Sequence, residues 1–127
     1  MIIGIGTDIV TVARIEAASK RHGPAFAARI LSEQEMAEYA TQAHPARFLS
    51  KRFAAKEAFA KATGQGLRHP VSLRLITVSH DEMGKPVFLF DAELALHLRQ
   101  LGIVGHHLSI SDERDTAVAF VILEGEG

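Results

Sequence analysis

No cysteine and no tryptophan occur among the 127 residues, tyrosine occurs once, and only four positions are proline. The lack of cysteine excludes a disulfide framework, a thiol nucleophile and a thiolate metal site. Any metal would have to be held by carboxylates or histidines. A long apolar run is missing too. No stretch reaches membrane-spanning length, and the opening MIIGIGTDIV lacks a cationic lead and carries Asp8 inside its apolar run, unlike a secretory signal. Neither sign of charge is in excess: 14 Lys and Arg against 15 Asp and Glu give −1. Bulk charge therefore makes no case for nucleic acid or membrane binding, and a polyanion site must come from local clustering. What is present, 47% hydrophobic and 23% charged residues, is ordinary globular composition. A single cytoplasmic domain, 1–127, is the expectation.

The first half reads as a buried strand followed by helices. IIGIGTDIV is β-branched, glycine-punctuated and apolar on both parities, which predicts a strand at about 2–10. TVARIEAASKRHG has helical residues and a stop at Gly23, and Pro24 can begin a short helix through Arg29. Ser32 followed by Glu35 has capping-box spacing and predicts a helix to about Tyr39. Pro45 then opens a long helix, 45–63, closed by Gly64.

The second half changes period. SLRLITVSH alternates like a strand, DEMGKP is a turn and VFLF resumes a strand, suggesting a hairpin. A helix at about 91–101 follows, then HHLSIS and TAVAFVILE as two antiparallel strands. The sum is a single α+β domain, a mostly antiparallel sheet packed against the long helix.

That helix has an unusual charge pattern. Phe48, Ala55, Phe59 and Ala62 form one apolar row, widened by Leu49, Phe53 and Ala60. Around it stand Arg47, Lys51, Arg52, Lys56 and Lys61 with a single acid, Glu57, which leaves +4 over 47–61. Arg47 with Lys51, and Arg52 with Lys56, are like-charge i,i+4 pairs, each unfavourable by about 0.2–0.5 kcal/mol in an isolated helix. Only Glu57 and Lys61 pair favourably. The cluster is either a solvated basic face or the seat of an anion. Phosphate would meet the cations with charge-assisted bonds, and a carboxylate among them is useful if it holds a divalent cation that bridges to phosphate. Mg²⁺ takes only one or two protein carboxylates. Asp8, after a glycine-containing strand, is the best partner for Glu57, with a turn or cap formed by GTD as the alternative.

The combination of GIGTDIVTVARIE, RFLSKRFAAKEAFAKATGQG and HHLSISDERDTAVAFVILE closely resembles the bacterial holo-acyl-carrier-protein synthases, small phosphopantetheinyl transferases, over nearly the entire chain. The resemblance implies transfer of 4′-phosphopantetheine from coenzyme A to a serine of apo-acyl carrier protein, in support of fatty acid biosynthesis. It implies Mg²⁺ at Asp8 and Glu57, Lys61 near the pyrophosphate, and a homotrimer whose active sites lie between subunits. A water on the metal, oriented by Glu57 or Asp8, is the expected acceptor of the serine proton, with a carboxylate acting directly as the alternative.

Other positions follow with less specific signals. Alternation points His107, Ser109 and Ser111 one way and Leu108 and Ile110 the other. The resemblance makes His107 a catalytic or coenzyme contact, with His106 a weaker claimant. Relatives often carry a second histidine where Asp112 stands here, so no histidine role passes to that position. Arg52 is a candidate for a coenzyme phosphate, Gly64 and Gly66 for close approach to the nucleotide, and Lys85 and Pro86 for a wall of the adenosine pocket. Arg14 and Arg21, seven apart on one helix face, and Arg47 suit docking of an acidic carrier protein.

Overall fold

The computed structural model describes all 127 residues. Its elements run β1 (Ile2–Thr11), α1 (Val12–His22), α2 (Pro24–Ile30), α3 (Glu33–Tyr39) and α4 (Pro45–Thr63). They continue with β2 (Ile76–His80), β3 (Pro86–Phe90), α5 (Ala92–Gln100), β4 (Ile103–Asp112) and β5 (Thr116–Gly125). Two antiparallel sheets result: a three-stranded one in the order β1-β5-β4, and the β2-β3 hairpin. No helix is long and apolar enough to cross a membrane.

Local signals set most boundaries. Pro45 occupies the first turn of α4, and Gly64, at φ +77°, closes it in the left-handed conformation that glycine adopts without penalty. Ser32 and Glu35 make both bonds of the capping box: Glu35 N donates to Ser32 Oγ at 3.3 Å and Ser32 N donates to Glu35 Oε1 at 2.9 Å. The hairpin is shorter than the alternation suggests. Leu73–Leu75 forms a 3-10 turn, because pairing stops at Ile76 opposite Phe90, beyond which Asp91 N donates to Leu75 O.

The core lies between α4 and the inner face of the large sheet. Phe48, Leu49, Ala55, Phe59, Ala60 and Ala62 of the apolar row are buried, while Phe53 is half-buried at an edge. Gly4, Gly6, Asp8 and Val10 of β1 share the face opposite the more exposed Ile3, Ile5, Thr7 and Ile9. Two glycines there bring α4 onto the strand backbone. A Cβ built on Gly4 would lie 1.8 Å from Ala62 O, and one on Gly6 would lie 2.0 Å from Ala58 O.

Candidate active site

This close approach positions the functional groups. Gly4 meets Ala62 and Gly6 meets Ala58, so strand and helix run in opposite senses. The next inward residue, Asp8, lies within reach of the Lys61 ammonium and lines the same cleft as Glu57. Lys61 Nζ donates to Asp8 Oδ1 and to Thr7 O, each at 3.0 Å. The expected Glu57–Lys61 pair gives way to this contact, because the strand offers Lys61 two acceptors at once.

Asp8 and Glu57 line one cleft of about 560 Å³ with Arg14 and Arg21 of α1, Phe26 of α2 and Phe53 of α4. Burial raises the Glu57 pKa, and the negative charge of Asp8 raises it further, against the opposing effect of Lys61. A half-buried carboxylate whose ionisation its neighbour Asp8 disfavours, close to a lysine, is a site that a hard cation would relieve. Both donors are carboxylate oxygens, which fits Mg²⁺, an ion that takes one or two protein carboxylates and completes its shell with water and substrate oxygens.

Known proteins resemble the chain over nearly its whole length. A profile described as the 4′-phosphopantetheinyl transferase superfamily matches residues 4–121. The chain belongs to this superfamily. Its relatives include a protein of Nitrosospira multiformis named holo-[acyl-carrier-protein] synthase, 56% identical over 98% of this chain and 99% of that one. The crystal structure of the Neisseria meningitidis holo-[acyl-carrier-protein] synthase superposes with a TM-score of 0.95 at 51% identity, over 98% of this chain and 99% of that one. The Helicobacter pylori enzyme, solved in complex with coenzyme A, does so at 0.81 and 30%, over 94% and 99%.

Other residues singled out in the sequence of this transferase fall in several places. Arg52 and Lys61 are nine positions apart, which puts them on opposite sides of α4. Arg52 is buried and stacked on Phe48, 4.4 Å above its ring, and Nη2 donates to Glu38 Oε2 at 3.0 Å. Its Nε lies 3.3 Å from Glu35 Oε2 without the alignment of a hydrogen bond. A coenzyme phosphate is thus not needed to explain its charge. Arg52 and Pro86 nevertheless line a common cleft with Lys51 and His80, of about 370 Å³. Lys85 lies exposed in the hairpin turn. Gly64 and Gly66 both have positive φ at the end of α4, where Gly66 N donates to Ala60 O at 3.2 Å.

The two histidines separate by strand parity. His107, with Ser109 and Ser111, lies on the outer face of the sheet, away from Asp8, and its Nε2 pairs with Glu124. That contact lowers the Glu124 pKa. His106 faces inward against Phe88 and Phe90, and its Nε2 accepts from Phe88 N at 3.0 Å, tying the hairpin to the large sheet. Burial lowers its pKa, with smaller contributions from His107 and Lys85, which suits a ring that must accept at Nε2. Arg47 stands apart from Arg14 and Arg21, with Nη2 donating to Asp112 Oδ2 at 3.1 Å.

Sequence reasoning missed Glu35 as an interior partner of the helix's cations. The capping box exposed its local role, but its carboxylate also meets Lys56 and lies beside Arg52 in the interior. Much of the anion demanded by the cation count is therefore the chain's own: Arg47, Arg52, Lys56 and Lys61 all find carboxylates.

Proposed function

We propose that this chain transfers 4′-phosphopantetheine from coenzyme A to a serine hydroxyl of an apo-acyl carrier protein, releasing adenosine 3′,5′-bisphosphate. The observation that carries the reading is the meeting of Asp8 and Glu57 in one cleft flanked by Arg14 and Arg21, with Lys61 donating to Asp8. The names of its relatives, and the coenzyme A bound to one of them, support it. The serine oxygen attacks the phosphorus that carries pantetheine, and the bond to the adenosine-side phosphate breaks. Negative charge grows on that leaving phosphate. Lys61, held to the strand by Thr7 O and Asp8, is placed to donate to it. Asp8 and Glu57 would hold Mg²⁺, which supplies Lewis-acid stabilisation of the pyrophosphate. Glu57, whose burial raises its proton affinity, orients the water that receives the serine proton. Arg14 and Arg21 steer the acidic carrier, with Arg47, on a separate part of the surface, as a further docking cation. Arg52, Gly64, Gly66, Lys85, Pro86 and His107 remain the proposed coenzyme contacts.

The same reading places the protein in cytoplasmic fatty acid biosynthesis, as a homotrimer. Ile3, Ile5, Ile9 and Phe120 form an exposed apolar patch on the outer face of the sheet. Three chains meeting through it would cover this surface and bring His107, on the same face, to a site shared between subunits. Light scattering should give three times the 13.8 kDa of one chain; a monomer at assay concentration refutes the shared site.

Intact-mass measurement of an apo-carrier incubated with protein, coenzyme A and Mg²⁺ tests the activity. The carrier should gain one phosphopantetheine, and a chelator should abolish the gain. Release of adenosine 3′,5′-bisphosphate without a mass gain would instead identify a pyrophosphate hydrolase. Arg14→Glu should raise the carrier KM about tenfold while leaving the coenzyme A KM within about twofold. Equal changes in both would remove Arg14 from docking.

A further inference from the structure

Next to Glu57 stands a charged side chain that this chemistry does not use. Lys56 is fully buried, and its ammonium donates to Ile30 O at 2.7 Å, to Leu73 O at 2.9 Å and to the Glu35 carboxylate. Those bonds engage all three of its donors. Glu35, buried as completely, also accepts from Ser32 N and Val78 N, both at 2.9 Å. Burial lowers the Lys56 pKa while Glu35 raises it. One ion pair thereby joins the end of α2, the start of α3, the 3-10 turn, β2 and the middle of α4.

Stability is a weak reason to keep such a pair, since apolar residues of similar volume often replace buried ion pairs at no cost. Rotation of α4 is a better one. Much of its buried surface is alanine, at 54, 55, 58, 60 and 62, which offers few protruding side chains to lock an azimuth. Lys56 and Glu57 are adjacent, 100° apart around the helix, so a bond that fixes the first aims the second. The pair also pins Ile30, one turn beyond Phe26 on the cleft wall.

We propose that the Lys56–Glu35 pair is a positioning device for the transfer site: it sets the rotation of α4 and the distance of α2, and so aims Glu57 and Lys61 at the substrate phosphates. The inference rests on the function proposed above. Neither residue touches the substrate. Both act through Glu57, Lys61 and the cleft wall.

Lys56→Met provides the test, because it keeps the apolar stem and leaves Glu35 beside Arg52. Assayed well below its melting temperature, the variant should lose about 30- to 100-fold in kcat, the scale on which small misplacements act. Its coenzyme A KM should stay within about threefold of wild type, the signature of a loss confined to the transition state. A folded variant whose kcat lies within about twofold of wild type overturns the proposal, as does a loss explained by KM or by a smaller folded fraction. If Lys56→Met does not fold, Glu35→Gln, which retains an acceptor oxygen, decides by the same split. If neither folds, the pair is a folding element and the proposal falls. Failure of the functional reading shows separately, as a wild-type protein that transfers nothing.

Discussion

Asp8→Asn and Glu57→Gln should each lower the rate of carrier modification by about 10³-fold, the loss of several kcal/mol of charge stabilisation at the pyrophosphate. Both proteins should nevertheless fold. Burial and the neighbouring Asp8 raise the Glu57 pKa above its ordinary 4.5. A carboxyl whose folded pKa exceeds its unfolded one binds more protons when folded, so its ionised form subtracts stability. That penalty is absent well below pH 4.5, grows as pH rises past it, and is complete above the raised folded value. Replacing Glu57 with neutral glutamine removes the penalty at neutral pH, and the melting temperature should hold or rise. In Asp8→Asn, the amide oxygen can still accept from Lys61, which already has Thr7 O as its second partner. Loss of activity with retained or improved stability is thus the expected pattern. The same shift gives a pH signature: as pH falls toward the Glu57 pKa, protons compete with the cation, and the Mg²⁺ concentration for half-maximal activity should increase. A Glu57→Gln protein within tenfold of wild-type activity would exclude Glu57 from the metal site, and an unfolded one would contradict the electrostatic account.

The features legible in the sequence are those decided within one or two turns of chain. Pro45, Gly64, the Ser32–Glu35 box and the alternation through His107, Ser109 and Ser111 all specify local geometry that the structure contains. Counting charges along 47–61 could not separate internal partners from a ligand, for a physical reason: it treats α4 as an isolated cylinder, whereas its cations face different layers of the molecule. Lys56 finds Glu35, 21 positions away, and Lys61 finds Asp8, 53 away. Asp8 and Glu57 could be picked out together because separate motifs converge on them. His106 could not be assigned by type alone; parity turns it inward, where a backbone N–H of the hairpin fixes its role as an acceptor.

The other large effect should come from the smallest change, Gly6→Ala. Its new methyl carbon would lie 2.0 Å from Ala58 O and 2.7 Å from Ala62 N, both backbone atoms of a helix buried on several sides. No rotamer can relieve that overlap, so α4 must move away from β1 or the strand must bend. Overpacking of this kind costs about 3 kcal/mol, which in a domain of this length lowers the melting temperature by about 10 °C. Gly105→Ala is the matched control, since the nearest atom to its Cβ is Glu124 Cβ at 3.9 Å and its backbone is not left-handed. It should melt within about 2 °C of wild type. Activity should fall in Gly6→Ala even at temperatures where the variant stays folded, because the displaced backbone carries Asp8 two residues on and Glu57 on the facing helix. A Gly6→Ala protein that melts with wild type would refute the close approach of strand and helix. One that is destabilised but fully active would show that this approach supports the fold without setting the distance between Asp8 and Glu57.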